Sequence, residues 1–128
     1  MARQSVEARR ATHLRYYYNH KEKHQIWSKA FRTRLKDECF SHYGGYKCVC
    51  CGEEQKIFLT IDHVNNDGNV HRKQIGYRGG IGVYTWLRKN NFPEGFQVLC
   101  FNCNHGKHLN GGTCPHKEQQ CPVSAIKQ

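Results

Sequence analysis

Apolar residues along this chain follow two different periods. Between Ser5 and His42 there is neither proline nor glycine, so helix is the default over that stretch. Within it Trp27, Phe31, Leu35 and Cys39 recur at every fourth residue and draw one apolar stripe along a helix. That stripe is expected to pack on the rest of the protein, with the intervening Arg and Lys facing outward. "RYYYNHKEKH" is less regular, and Asn19 could divide the segment into two helices. "HYGG" closes the helical region, Gly44 or Gly45 being suited to the left-handed position after a helix. Farther on, Phe58, Leu59 and Ile61 read as a short strand, since aromatic and β-branched residues suit a half-buried pleated surface. It runs into Asp62-His63 and then Asn65, Asn66, Asp67 and Gly68, which are ordinary turn residues. Residues 65–82 are glycine-rich, charged and without a period, and read as a long loop. "VYTWLRKNN" reads as a short helix stopped before Pro93, and "FQVLC" as a second strand. "NCNHGKHLN" opens a helix that Gly111 and Gly112 terminate, and residues 113–128 read as an irregular tail.

Composition changes this picture in two ways. The formal net charge is +10, and residues 1–36 carry ten of the twenty Lys and Arg against only Glu7 and Glu22. Such an arm points to a polyanionic partner, most often nucleic acid. Arg9, Arg10 and Arg15 are its candidate contacts, and the competing account is a solvated helix face that keeps the protein soluble. Tyr16, Tyr17 and Tyr18 could stack on bases or simply pack. The second change comes from eight cysteines. No stretch is apolar enough for a membrane span and "MARQSVEARR" has nothing of a secretory leader, so a cytoplasmic, reducing location without a membrane partner is expected. Clustered cysteines there more often mean zinc than disulfides.

The cysteine spacing supports zinc. Cys48 and Cys51 form a C-x-x-C-G knuckle, and Cys100 and Cys103 form a second C-x-x-C. Two such pairs are what a tetrahedral Zn²⁺ requires. Cys50 reads as spare, and Cys39, Cys114 and Cys121 as unassigned. Cys114, His116 and Cys121 could form a second site but lack an obvious fourth ligand, so unpaired tail thiols are expected. The strand ending in Asp62-His63 lies inside the insert between the knuckles, and Asn104 follows the second knuckle directly, in "LCFNCNHGK".

An Asp-His at a strand end, followed by L-C-x-x-C-N opening a helix, resembles the HNH (ββα-metal) endonuclease superfamily. With two zinc knuckles the chain is similar to its recombination endonuclease VII branch and to small phage-type HNH nucleases, from about Gly44 to Gly112. The resemblance implies an α+β fold: a ββα-metal core over residues 44–112 braced by a four-cysteine structural zinc site. A basic helical arm (residues 1–43) precedes the core and a tail (residues 113–128) follows it. It implies DNA hydrolysis leaving 5′-phosphate and 3′-hydroxyl ends. His63 matches the general base, Asp62 and Asn104 match ligands of a catalytic divalent cation, and Cys48, Cys51, Cys100 and Cys103 match the zinc ligands. Mg²⁺ or Mn²⁺ suits the carboxylate and amide oxygens, while thiolates suit Zn²⁺. The motif's middle Asn falls at Gly95 here, with Asn90 or Asn91 near enough to brace the loop instead. Strict strand alternation would send Asp62 and His63 to opposite faces, so the strand is expected to bend or end there.

His71, Arg72, Lys73, Arg78 and Lys107 are candidate phosphate contacts in this scheme, and His105 and His108 would lie at the surface or against phosphate. The partner is DNA, duplex or branched, and both a monomer and a dimer fit the pattern. A non-catalytic zinc-ribbon module that binds nucleic acid explains the cysteines and charge equally well. It gives Asp62, His63 and Asn104 no joint task.

Overall fold

Helix α1 (Val6–Asn19) starts where the Ser5 side chain accepts the Ala8 N–H, and it has no buried residue. It stops at Asn19, where the chain divides as the irregular polar run suggested, and α2 (Lys21–His42) follows. These elements belong to a computed structural model that describes residues 5–76 and 80–120, with side chains through 117. Arg78, one expected phosphate contact, lies outside the described residues, as does Cys121. The chain divides into two compact units, Met1–Arg34 and Leu35–Gln128. Among the described residues no helix is long and apolar enough to cross a membrane.

The apolar stripe of α2 is buried only in part. Leu35 and Cys39 are buried and Phe40 joins them, whereas Trp27 is 61% exposed and stacks along the helix on Phe31 at 5.7 Å. Helical spacing places the four residues in line; burial stops where the first unit ends. Gly44 and Gly45 both take positive φ after α2.

In the second unit, strands β1 (Leu59–His63) and β2 (Phe96–Cys100) pair antiparallel, with Asp62 opposite Gln97 and His63 opposite Phe96. Between them lie α3 (Gly68–Ile75) and α4 (Gly80–Lys89). The long loop expected over residues 65–82 is therefore corrected: most of it is helical. α3 was hidden because its inward contact is made by a polar ring, His71, which meets Trp86 of α4 at 4.2 Å and Phe96 of β2 at 5.7 Å. α5 (Phe101–Leu109) follows β2 without a break and packs on both strands. A further helix, α6 (Pro115–Gln120), occupies part of the expected irregular tail and packs on α5.

Among the described residues the architecture is α+β, with six α-helices and a two-stranded antiparallel sheet in the second unit. Its core joins Leu35, Phe40, Leu59, Leu87, Val98 and Leu99, where apolar burial contributes on the order of 2 kcal/mol for each large side chain. Phe40 stacks on Tyr46 at 4.5 Å, and Cys39 donates to the Tyr84 carbonyl at 3.5 Å. These contacts fix the C-terminal part of α2 against α4.

Candidate functional site

The first knuckle is a tight turn hung on the sheet. Gly52 N–H bonds the Cys48 carbonyl at 3.0 Å, and Val49 N–H bonds the Val98 carbonyl of β2 at 3.0 Å. The second knuckle opens α5, where Cys100 caps the helix and its Sγ accepts the Cys103 N–H at 3.4 Å. Cys48, Cys51, Cys100 and Cys103 thereby bring their four sulfurs within 4.8 Å of one another, with Cys51 and Cys100 at 3.6 Å. This four-cysteine group could hold a metal ion such as zinc. Burial alone would raise the Cys48 thiol, but hydrogen bonds from the backbone of Cys51, Cys100 and Cys50 outweigh it and bring it down to about 7. Backbone N–H groups aimed at a sulfur favour thiolate, the form a metal takes.

Asp62 and His63, adjacent at the end of β1, find partners on different helices. The Lys107 ammonium of α5 donates to Asp62 Oδ2 at 2.5 Å, to the His63 carbonyl at 2.7 Å and to the Val64 carbonyl at 3.3 Å. Gln97, opposite on β2, donates to the same Asp62 oxygen at 3.0 Å. Lys107 is 6% exposed and its three N–H donors are all committed. Lys107, an expected phosphate contact, is here the buried counter-ion of Asp62.

His63 is turned the other way, toward α3. It is 7% exposed and its Nε2 lies 2.9 Å from His71 Nδ1. The ring of His71, another expected phosphate contact, packs among His63, Trp86 and Phe96. Burial lowers the His63 pKa below its usual 6.5, and the neighbouring His71 pushes in the same direction. Opposite His63 Nδ1 stands Gly68. A Cβ there would come within 3.0 Å of that nitrogen and 3.2 Å of an Arg72 guanidinium nitrogen, so only glycine leaves the space open.

The chain leaving β1 is held by backbone at the position where the resemblance would place an Asn. Gly95, at φ 98°, presents its carbonyl to Val64 N–H at 3.0 Å, which pins the chain leaving β1. Asn90 instead bonds back to the Trp86 carbonyl of its own helix at 2.9 Å.

One open cleft of about 1570 Å³ runs past both ends of this arrangement. Asp62 and His63 from β1, Arg72 and Lys73 from α3, and Asn104, His105 and His108 from α5 all line it. Arg9, Arg10 and Arg15 are exposed on α1, in the other unit. Sequence reasoning missed Gln97 and Gly68, which carry no local motif. The second thiol site that the sequence raised at Cys114 and His116 lacked a fourth ligand there; Cys50, read as spare, and Cys103 join those two, and the four ligand atoms again lie within 4.8 Å of one another. No protein-family model, curated protein or solved structure matches this chain, so any functional reading rests on the cleft and the thiols themselves.

Proposed function

We propose that this chain is a metal-dependent endonuclease of the HNH (ββα-metal) type that hydrolyses DNA phosphodiester bonds, with His63 as general base. The observation carrying the reading is that Asp62, His63 and Asn104 line one cleft with Arg72 and Lys73. A phosphodiester is an anion, and cationic groups at the rim suit its backbone. Imidazole kept neutral near pH 7 is matched to accept a proton from water, and the lowered pKa of His63 keeps it so.

In this reading the tautomer with His63 as donor to His71 sets the working nitrogen. When His63 Nε2–H donates to His71 Nδ1, the lone pair of His63 lies on Nδ1, beside the space Gly68 leaves open. The remaining His71 proton is then on Nε2, which is buried without a hydrogen-bond partner among the described residues. The Trp86 ring, tilted 80° to it at 4.2 Å, offers a π face in place of an acceptor. His63 Nδ1 takes the proton of a water as its oxygen attacks phosphorus, and Arg72 stands by the same nitrogen to hold a phosphate oxygen. The 3′-oxygen departs and takes a proton from solvent water, leaving a 5′-phosphate and a 3′-hydroxyl.

Asp62 and Asn104 fit a hard cation by the chemistry of their oxygens. On Asp62 the available oxygen is Oδ1, since Oδ2 already accepts from Lys107 and Gln97. Mg²⁺ or Mn²⁺, when bound, neutralises charge on the phosphate and on the leaving oxygen.

The same Asp62–Lys107–Gln97 network also favours a second reading, because it satisfies the carboxylate without any cation. In that reading the chain is a non-catalytic zinc module that binds nucleic acid. Supercoiled plasmid with Mg²⁺ or Mn²⁺ separates the two. The endonuclease cuts, and His63→Ala cuts roughly 10²- to 10⁴-fold more slowly while still binding duplex. Parental cutting by His63→Ala would remove His63 from the chemistry. Binding without cutting by the unaltered protein would give the module.

A further inference from the structure

The four-cysteine group does not exhaust the thiols around it. Cys50 lies in the first knuckle but is 8% exposed, and Cys114, just before α6, is 5% exposed. Neither is a spare surface thiol. His116, two residues on, places Nδ1 3.3 Å from Cys103 Sγ and 3.6 Å from Cys114 Sγ. Tetrahedral zinc with Zn–S of about 2.3 Å and Zn–N of about 2.0 Å sets S···N near 3.5 Å and S···S near 3.8 Å. The four ligand atoms of Cys50, Cys103, Cys114 and His116 fall within 4.8 Å of one another.

Cys103 is a member of both groups. Its sulfur has hydrogen-bond contacts with Cys51 and Cys100 in one group and with Cys50 and Cys114 in the other. A thiolate has lone pairs enough for two ions. α5 is also shaped to receive the second group: a Cβ on Gly106 would stand 3.3 Å from Pro115 Cδ and 3.9 Å from Cys114 Sγ. Glycine at that point lets the Cys114-Pro115 turn close on the helix.

We propose that the protein holds a dinuclear zinc centre bridged by the Cys103 thiolate. Cys48, Cys51, Cys100 and Cys103 bind one ion; Cys50, Cys103, Cys114 and His116 bind the other. Each ion has four ligands, the number structural zinc takes. Six thiols give their protons to solvent and His116 binds neutral through Nδ1. Six thiolates against two Zn²⁺ leave the cluster at −2, with no change of oxidation state. The second ion fastens α6 to α5 and to the first knuckle, and the first ion has no ligand on α6.

Native mass spectrometry of the full, tag-free chain reads the stoichiometry directly. Two zinc ions per chain are expected, falling to one in His116→Ala and in Cys114→Ser with far-UV circular dichroism retained. Cadmium-113 substitution of the unaltered protein should give two resonances of equal intensity, split by coupling through the shared sulfur. One zinc in the unaltered chain, a Cys50–Cys114 disulfide in a non-reduced peptide map, or two ions retained in His116→Ala would overturn the second site. Two cadmium resonances without coupling would overturn the bridge.

Discussion

Asp62 and Lys107 are the pair on which the cleft turns. Their side chains are 13% and 7% exposed, so removing either strands a charge. Asp62→Ala should therefore destabilise the second unit by about 3–5 kcal/mol as well as abolish cleavage. Asp62→Ala with Lys107→Met removes both charges together and should recover most of that stability in urea titrations, yet stay inactive. Recovered cutting in the double variant would assign Asp62 to structure alone. His63 supplies a pH signature. Its folded pKa lies below 6.5, so cleavage should rise with pH through a midpoint below 6.5. Stability runs the same way: as pH falls from 6.5 toward the folded value the unfolded chain binds the proton first, and the folded state loses ground. His63→Gln should remove that part of the slope in urea midpoints measured against pH. A midpoint above pH 6.5 would place the controlling ionisation on another group.

Elements with strong local periods were legible in the sequence, and elements held by distant polar contacts were not. β2 lies where Phe96, Val98 and Leu99 put it, and the break between α1 and α2 lies at Asn19. α3 escaped because its apolar Val70 is exposed and His71 makes the inward contact. Lys107 looked like a surface lysine because Asp62, its partner, is 45 residues away in the chain. The two knuckles were readable from spacing, whereas the Cys114–His116 group depends on how α6 meets α5. Those knuckles tie β2 to α5, so Cys48→Ser should release both. Structural zinc supplies on the order of 10 kcal/mol of folding free energy, more than a small domain has in reserve. Insoluble or molten protein is the expected outcome by circular dichroism; a folded variant that keeps its full zinc content would contradict the four-cysteine assignment.

At the scale of the molecule, the basic arm and the cleft are divided between the two units. α1 carries exposed Arg9, Arg10 and Arg15, while the cleft belongs to Leu35–Gln128. Deleting residues 1–34 should weaken duplex binding and flatten the dependence of log affinity on log salt, by about 0.9 for each phosphate the arm neutralises. An unchanged slope would make the arm a protein-binding element. The second unit is joined more tightly within itself, because α5 alone carries Cys103, Asn104 and Lys107. Adjacent residues on a helix differ by about 100° in direction and by about 1.5 Å along the axis. The spacing between thiolate, cleft amide and buried ammonium is thus set by covalent helical pitch, with no hinge to absorb a change. One residue inserted between Cys103 and Lys107 would rotate the ammonium a quarter-turn away from Asp62 while the sulfur stayed in place. Metal centre and cleft can therefore be altered by substitution but not re-spaced, and natural variation in length should be found outside this single turn.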